Sequence, residues 1–289
     1  MSDITRVGVA GCGLMGSGIV EVCSRAGLDV VVREVDDGAA AAGRARIEGS
    51  LARGVRAGKL SAEDRDAALA RVRVTTALDD LADRELVIEA ATENPAVKAA
   101  LFAELDRVAE RPDVILATNT SSIPIVQVAQ ATTRPAQVVG LHFFNPVPVQ
   151  RLVEVIPSVL TAPQVVQRVT DLVTKALGKA VIKAPDRSGF VVNALLVPYL
   201  LSAIRMLEAG YATAEDIDLG MTLGCAHPMG PLRLCDLVGL DTLTAVADSM
   251  YEEHKEPLYA APPLLRRMTD AGLLGRKTGR GFYDYQAQT

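Results

Sequence analysis

A histidine and a glutamate, each within an apolar run, lie twelve positions apart near the middle of the chain. His142 ends residues 138–142, and Glu154 lies within residues 152–156. Imidazole exchanges a proton near neutral pH, and a carboxylate that accepts its second N–H fixes the tautomer and stabilises the imidazolium. A histidine beside phenylalanines is also a common hydrogen-bonded core residue, and Glu154 could equally be a strand-end charge. The spacing therefore indicates an acid–base pair, with two structural residues as the alternative.

A glycine string near the start of the chain has the spacing of a dinucleotide-binding loop. Gly11, Gly13 and Gly16 follow the apolar residues 6–10 and precede a helical pattern. In such a loop the first glycine permits a tight turn, the second lets a pyrophosphate approach the backbone, and the third allows close helix packing. The phosphate charge then meets the helix N-terminus. An ordinary glycine-rich turn is the alternative.

A carboxylate follows the glycine string by about twenty residues, as dinucleotide-binding sites require. Glu34, near the end of predicted strand 29–35, can accept hydrogen bonds from the adenosine ribose hydroxyls. Its charge would repel the 2'-phosphate of NADP, which favours NAD. Strand alternation should point the neighbouring Arg33 to the opposite face, but a strand that ends before Arg33 would permit use of both cofactors. A solvated strand-end charge is the alternative for Glu34.

The composition argues against several other classes of protein. The chain has 289 residues, of which 49% are hydrophobic and 22% charged, enough for a substantial core. A net charge of -5 and the absence of tryptophan argue against a nucleic-acid surface. The longest apolar stretch, residues 194–204, is about half the length of a membrane span and contains Pro198, so no span is predicted. Asp3 and Arg6 lead directly into the glycine string, unlike a secretory signal, so a cytoplasmic location is expected.

The four cysteines predict neither a metal site nor a disulfide scaffold. Cys12, Cys23, Cys225 and Cys235 lack the spacing of metal ligands and the density of disulfide-rich domains. We therefore expect reduced and mostly buried thiols, and no metal.

Short β-rich runs alternate with helical patterns through the first two thirds of the chain. The runs are nearly continuous Val, Ile and Leu, which is typical of parallel strands covered by helices on both faces. The predicted strands are residues 6–10, 29–35, 86–90, 114–118, 138–142, 152–156 and 179–183. This pattern predicts an α/β fold with a Rossmann-type doubly wound sheet.

One segment interrupts that alternation. Residues 37–71 are rich in Ala and Arg and are long enough for two helices, with a turn predicted at residues 58–61. Ser61 followed by Asp64 resembles a capping box, which predicts that Ser61 starts the second helix. The segment is therefore interpreted as an inserted helical hairpin.

The pattern changes again near residue 185. From Phe190 onward the chain reads as helices without intervening strands and ends in a predicted extended tail at residues 281–285. We predict two domains, 1–185 for binding the dinucleotide and 186–289 as an all-helical second domain.

These motifs, taken in order, resemble those of the L-3-hydroxyacyl-CoA dehydrogenase family over nearly the whole chain. The matching segments are the glycine string and residues 119–122, 140–148, 152–156, 188–193, 227–231 and 277–283. The resemblance implies NAD-dependent oxidation of a short-chain (S)-3-hydroxyacyl-CoA to the 3-oxoacyl-CoA, and the reverse reaction. It also implies a homodimer formed through the helical domain, which would also bind substrate.

The resemblance assigns roles to individual residues. His142 is the general acid/base partnered by Glu154, Ser121 contacts both the substrate oxygen and the cofactor, and Asn193 orients the substrate. A helix-capping role is the alternative for Ser121. The residues expected to bind the cofactor are Gly11, Gly13, Leu14, Met15, Gly16, Glu34, Glu93, Lys98, Asn119 and Ser121.

Two lysines have weaker assignments from the same resemblance. Lys98 matches a position near the nicotinamide half of the cofactor, with an exposed helix cation as the alternative. Lys59, in the predicted hairpin, matches a region that binds coenzyme A, whose phosphates a cation would complement. A solvated lysine is the alternative there.

Two other functions are compatible with the sequence. The chain could oxidise a related 3-hydroxy acid or sugar acid, which a requirement for coenzyme A would distinguish. It could also be a catalytically silent structural or binding relative that keeps the fold. The presence of His142, Glu154, Ser121 and Asn193 argues against a silent relative.

Overall fold

The computed structural model describes residues 3–286, which divide into two units between Asp186 and Arg187. The strands, all in the first unit, are β1 (Arg6–Ala10), β2 (Asp29–Arg33), β3 (Val72–Thr75), β4 (Leu86–Glu89), β5 (Ile115–Thr118), β6 (Val138–Phe143), β7 (Leu152–Ile156) and β8 (Ala180–Lys183). The helices of the first unit are α1 (Leu14–Arg25), α2 (Asp37–Arg56), α3 (Ala62–Ala70), α4 (Pro95–Val108), α5 (Ile125–Ala129) and α6 (Pro163–Asp171). Those of the second unit are α7 (Val192–Glu208), α8 (Ala214–Leu219), α9 (Pro231–Val238), α10 (Leu240–His254) and α11 (Pro263–Asp270).

The first unit is built on one eight-stranded sheet with the order β3-β2-β1-β4-β5-β6-β7-β8. The central strands β4, β5 and β6 are buried along their whole length, which explains their nearly continuous Val, Ile and Leu. The predicted Rossmann-type doubly wound sheet is confirmed. Because strands β1 to β6 all run the same way, their carboxyl ends share one edge, where ligands bind in such folds.

Three features of the sheet differ from the prediction. Strand β7 runs antiparallel to β6, whereas all other neighbouring strands are parallel. Strand β3 was missed because Val72–Thr75 is a half-buried edge strand with an arginine and a threonine among its four residues. The predicted strand 29–35 ends earlier, at Arg33, so Glu34 lies beyond the pleat.

The predicted helical hairpin is confirmed as α2 and α3, which connect β2 to β3. Asp36 begins α2 by accepting a hydrogen bond from the amide of Ala39 at 2.8 Å. The Ser61 hydroxyl accepts from the amide of Asp64 at 3.0 Å, the capping contact that the sequence predicted. Gly58 has φ +67° in the turn between them, a conformation that favours glycine.

The second unit is helical, as predicted. Its described residues 187–286 contain no β-strand, only two isolated β-bridges. Its core includes Leu201 and Ile204 of α7 packed with Leu232 and Met250 of α9 and α10. Helix α7 contains the apolar stretch 194–204. Within residues 3–286, no helix is both long and apolar enough to cross a membrane.

The tail after α11 is held by a buried carboxylate. Asp236 is 1% exposed and accepts hydrogen bonds from the amides of Phe282 and Tyr283 and from the Tyr285 hydroxyl, each at 2.9–3.0 Å. These contacts satisfy backbone groups that a non-helical segment would otherwise leave unpaired.

The four cysteines are free thiols, and all except Cys225 are buried, as predicted. Burial raises the pKa of the Cys12 and Cys23 thiols to about 12. These two cysteines are therefore protonated, small core residues at neutral pH.

Candidate active site

His142 and Glu154 are direct neighbours across the antiparallel pair β6 and β7. The strand register sets them opposite each other, and Nδ1 of His142 lies 2.7 Å from Oε2 of Glu154. Their exposed fractions are 4% and 0%. Because a carboxylate only accepts hydrogen bonds, this contact places a proton on Nδ1, and in the neutral imidazole Nε2 then has the free lone pair. This tautomer leaves Nε2 able to take up a proton.

Ser121 lies at the other side of the imidazole. It follows β5, the parallel neighbour of β6, at the carboxyl edge of the sheet. Its hydroxyl oxygen is 3.1 Å from Nε2 of His142. Three side chains that are distant in sequence thus form one hydrogen-bonded series, Glu154 to His142 to Ser121. A hydroxyl group placed at the Ser121 and Nε2 end could give up its proton there.

Glu93 holds the loop that carries Ser121. Its Oε1 accepts hydrogen bonds from the amides of Ser121 and Ser122, at 2.9 and 3.2 Å, and from the hydroxyl of Thr120 at 2.5 Å. Burial raises the pKa of Glu93, but Lys98 and these hydrogen bonds outweigh that effect and leave the pKa below its ordinary value. Glu93 is therefore an ionised clamp on the serine loop at neutral pH.

Lys98 is fully buried on α4, which excludes the alternative of an exposed helix cation. It is 1% exposed, and its ammonium nitrogen lies 2.6 Å from Oε1 of Glu89 and 3.3 Å from Oε2 of Glu93. Sequence reasoning missed Glu89. A glutamate at the end of the otherwise apolar run of β4 was the available signal, because a buried carboxylate needs a partner.

The glycine string forms a tight loop with open space above it. Gly11 has φ +99°, and a Cβ on Gly16 would lie 1.9 Å from the Gly11 carbonyl oxygen. A Cβ on Gly13, in contrast, would meet nothing within 4 Å. Helix α1 begins at Leu14, followed by Met15, directly after this loop, and no side chain caps its N-terminus. An open glycine loop before a helix N-terminus is the arrangement that receives a pyrophosphate in dinucleotide-binding folds.

Glu34, which directly follows β2, contacts the glycine loop. Its Oε1 accepts a hydrogen bond from the amide of Cys12, and Oε2 accepts from the amide of Val35 at 3.2 Å. These contacts, rather than strand alternation, set the orientation of the carboxylate. Arg33 is directed to the Thr76 carbonyl, with a 3.4 Å contact from Nε.

A groove of about 490 Å³ extends from the glycine loop. Its lining includes Glu34, Val35, Ala91, Val97 and Leu101. The apolar walls suit a planar base, and the carboxylate suits the ribose hydroxyls.

The remaining predicted site residues lie in three different places. Asn119 accepts a hydrogen bond from the amide of Phe143 at 2.9 Å, which ties the end of β5 to the end of β6. Lys59 is exposed between α2 and α3. Asn193 is the second residue of α7 and belongs to the second unit.

Comparison with family models covers almost the whole chain. Residues 6–187 match "3-hydroxyacyl-CoA dehydrogenase, NAD binding domain". Residues 189–285 match "3-hydroxyacyl-CoA dehydrogenase, C-terminal domain". Both matches agree with the resemblance inferred from the motifs.

Similar proteins and structures cover the full length. The chain is 59% identical over 286 residues to a 3-hydroxybutyryl-CoA dehydrogenase of Mycobacterium tuberculosis, with 99% of this chain and 100% of that protein covered. A crystal structure of M. tuberculosis FadB2 has a TM-score of 0.97 at 59% identity and covers 98% of this chain and 99% of its own. A crystal structure of the (S)-3-hydroxybutyryl-CoA dehydrogenase PaaH1 from Ralstonia eutropha has a TM-score of 0.92 at 44% identity, covering 98% and 100%.

Proposed function

Because the chain belongs to the 3-hydroxyacyl-CoA dehydrogenase family, we propose that it interconverts short-chain (S)-3-hydroxyacyl-CoA and 3-oxoacyl-CoA with NAD. The substrate pair is 3-hydroxybutyryl-CoA and acetoacetyl-CoA, the four-carbon members of this class. The observation that carries the proposal is the series Glu154, His142 and Ser121, which can move one proton at one position.

The protein's own contribution to the chemistry is the transfer of that proton. In oxidation, Nε2 of His142 accepts the proton of the substrate 3-hydroxyl, and Glu154 stabilises the imidazolium that forms. In reduction, the imidazolium returns the proton to the 3-oxo oxygen. Ser121 orients the oxygen, since its hydroxyl already lies within hydrogen-bond distance of Nε2. Accurate placement of the reacting groups supplies much of the rate.

NAD is the cofactor, and the first unit has the residues to hold it. The chemistry that NAD supplies when bound is reversible acceptance of a hydride from the substrate carbon. We assign the pyrophosphate to the loop Gly11 to Gly16 and the adenosine ribose to Glu34. Glu93, Lys98 and Asn119 are assigned to the nicotinamide half. Lys98 would act there through Glu93, because its ammonium lies between two carboxylates.

The two ends of the substrate are assigned to residues outside the proton-transfer series. Lys59 is exposed and cationic, which suits the phosphates of coenzyme A. Asn193 is assigned to substrate orientation on the family resemblance. In this scheme residues 1–185 bind NAD, and residues 186–289 bind substrate and mediate dimerisation.

We further propose a homodimer formed through the helical unit. Several large apolar side chains of this unit are exposed, among them Leu195 at 75%, Tyr211 at 82% and Leu223 at 78%. A second copy of the chain would remove such surface from water. Light scattering coupled to gel filtration is expected to give twice the chain mass of 30.6 kDa. A mass of one chain at micromolar concentration would contradict the dimer.

A cytoplasmic location is proposed on chemical grounds. Coenzyme A thioesters and NAD are intracellular metabolites, and the four cysteines are free thiols, as is usual for a reducing compartment. Cell fractionation followed by immunoblotting tests this, and recovery in an extracellular fraction would contradict it.

The function is tested by comparing coenzyme A thioesters with free acids. We expect acetoacetyl-CoA to be reduced with loss of NADH absorbance, and free acetoacetate or a sugar acid to be left unchanged. Comparable turnover of a free 3-oxo acid would favour a related 3-hydroxy acid dehydrogenase. Binding of NADH without turnover of any 3-oxoacyl-CoA would favour a catalytically silent relative.

A further inference from the structure

Glu89 is a buried carboxylate that the proton-transfer chemistry does not use. It ends β4 in the centre of the sheet, where it pairs with Ala10 of β1 and Thr118 of β5. Its exposed fraction is 0%. Burial of a carboxylate is costly unless hydrogen bonds and an opposite charge compensate for the lost water. Such a group is kept at the centre of a sheet only if its partners satisfy it.

Three donors satisfy Glu89. Its Oε1 accepts from the ammonium of Lys98 and from the amide of Ala91, both at 2.6 Å, and its Oε2 accepts from the hydroxyl of Thr118 at 2.7 Å. The two oxygens thus face two different parts of the first unit. One faces helix α4, and the other faces the end of β5.

Both sets of contacts lead to the loop that carries Ser121. Through α4, Lys98 lies 3.3 Å from Oε2 of Glu93, whose Oε1 accepts from the amide of Ser121 at 2.9 Å. Through β5, the hydroxyl oxygen of Thr118, which donates to Glu89, also accepts a hydrogen bond from the amide of Thr120 at 3.2 Å. The neighbouring amides of Thr120 and Ser121 are therefore both linked to the buried carboxylate of Glu89.

We propose that Glu89 is a positioning residue for the dehydrogenase reaction, which holds Ser121 against His142 through Lys98 and Thr118. This inference rests on the proposed function. The Ser121 hydroxyl lies 3.1 Å from Nε2, and small displacements of a reacting or orienting group lower turnover strongly. In this scheme Lys98 acts as a buried link between the carboxylates of Glu89 and Glu93, and not as a solvent-exposed charge.

A glutamine at this position separates charge from shape. The amide of Glu89→Gln has nearly the same size but one oxygen and one NH₂ group, whereas three donors face Glu89. The NH₂ group must therefore face either the Lys98 ammonium or the Thr118 hydroxyl. In either orientation the negative charge that pairs with the Lys98 ammonium is lost, so the route to the Ser121 loop through α4 is weakened.

The test combines Glu89→Gln with Ser121→Ala, singly and together, and uses Asp106→Asn as the matched control. Asp106, like Glu89, is a buried carboxylate, at 7% exposure. It lies on α4 and accepts hydrogen bonds from Thr133 and Arg134. It lies about 12 Å beyond Lys98 along the helix. Asp106→Asn is expected to lower the thermal midpoint without changing kcat.

We expect Glu89→Gln to lower kcat for acetoacetyl-CoA about tenfold at saturating NADH. Because Glu89 acts through Ser121, adding Glu89→Gln to the Ser121→Ala variant should lower kcat by less than about a further twofold. Hydrogen exchange at the amides of Thr120 and Ser121 should become faster in Glu89→Gln and stay unchanged in Asp106→Asn.

Equal losses of kcat in the two backgrounds, or unchanged exchange at Thr120 and Ser121, would overturn the inference. If Glu89→Gln does not fold, Thr118→Val removes one route alone and is expected to give the same pattern with a smaller loss. If the unaltered protein turns over no 3-oxoacyl-CoA, the proposed function fails. The exchange measurement still decides in that case whether Glu89 holds the loop.

Discussion

Glu154 faces His142 because β7 reverses direction relative to β6. In the antiparallel register the two residues are direct cross-strand partners, although twelve positions separate them. A parallel neighbour could not follow β6 after so short a connection, since parallel strands require a crossover of a dozen or more residues. The one antiparallel pair in the sheet therefore places the carboxylate against the imidazole.

Glu34 is expected to govern cofactor affinity and choice. Glu34→Ala should weaken NADH binding by about tenfold, because it removes a charge-assisted hydrogen bond to the ribose. Glu34→Ser with Val35→Arg should improve use of NADPH, since Val35 is 70% exposed beside the groove and an arginine there can pair with a 2'-phosphate. Fluorescence titration with both cofactors measures this.

The control for Glu34 is Glu48→Ala, which removes an exposed carboxylate of α2 that pairs with Arg44. It should leave the affinity for either cofactor unchanged. Unchanged cofactor preference in both Glu34 variants would show that the ribose is bound elsewhere.

Gly16→Ala is expected to disrupt the dinucleotide loop. The added Cβ would lie 1.9 Å from the Gly11 carbonyl oxygen, so the loop must shift. We expect a loss of stability of about 1–3 kcal/mol, typical of overpacking, together with loss of NADH binding. Thermal unfolding with and without NADH measures both effects, and a protective effect of NADH equal to that in the unaltered protein would contradict the prediction.

Gly49→Ala is the matched control for Gly16→Ala. Gly49 lies inside α2, where a Cβ would meet only the Arg53 side chain at an ordinary 3.6 Å. Alanine is the better helix former, so stability should rise by about 0.5–1 kcal/mol with NADH binding unchanged.

The pH dependence of stability should contain a contribution from Glu93. Its pKa in the folded protein is lowered from 4.5, because Lys98 and the hydrogen bonds of the serine loop outweigh burial. A lowered pKa means that the ionised form stabilises the fold above about pH 4.5 and that this contribution is lost as the pH falls through the folded pKa. The unfolding free energies of the unaltered protein and Glu93→Gln should therefore differ most near neutral pH.

Urea denaturation across this pH range tests the sign. The difference between the two proteins should shrink as the pH falls below 4.5. Other carboxylates are common to both proteins and largely cancel in the comparison. A difference in unfolding free energy that stays constant, or grows, on acidification would contradict the stabilisation of the serine loop by ionised Glu93.

Much of the first unit could be predicted because its signals are local. Apolar runs gave the central strands, Ser61 and Asp64 marked the start of α3, and the glycine spacing identified the loop before α1. The pair of His142 and Glu154 was predictable because each lies within a recognisable strand. The elements are encoded by a few neighbouring residues, whereas the partnership of His142 and Glu154 also depended on the family resemblance.

The missed features depend on tertiary packing. Val72–Thr75 forms β3 only because β2 offers it a partner at the edge of the sheet. Lys98 reads as a surface lysine of a helix until α4 packs over the end of β4 and meets Glu89. Likewise, the contact of Glu34 with the Cys12 amide depends on two chain segments that meet only in the fold. Sequence spacing carries no direct record of such contacts.

We expect His142 and Glu154 to act as one acid–base unit. His142→Gln should fold and bind NADH but lose most turnover, because an amide cannot carry the proton. Glu154→Gln should also be impaired, since a neutral amide stabilises the imidazolium poorly and can hold the wrong tautomer.

The most direct test is kcat for acetoacetyl-CoA at saturating NADH in His142→Gln, Glu154→Gln and the double variant, with folding checked by circular dichroism. We predict that the double variant loses far less than the product of the two separate losses, because the second substitution removes a partner that no longer functions. Near-normal kcat in folded His142→Gln would contradict the acid–base role of His142. Multiplicative losses would contradict the partnership with Glu154.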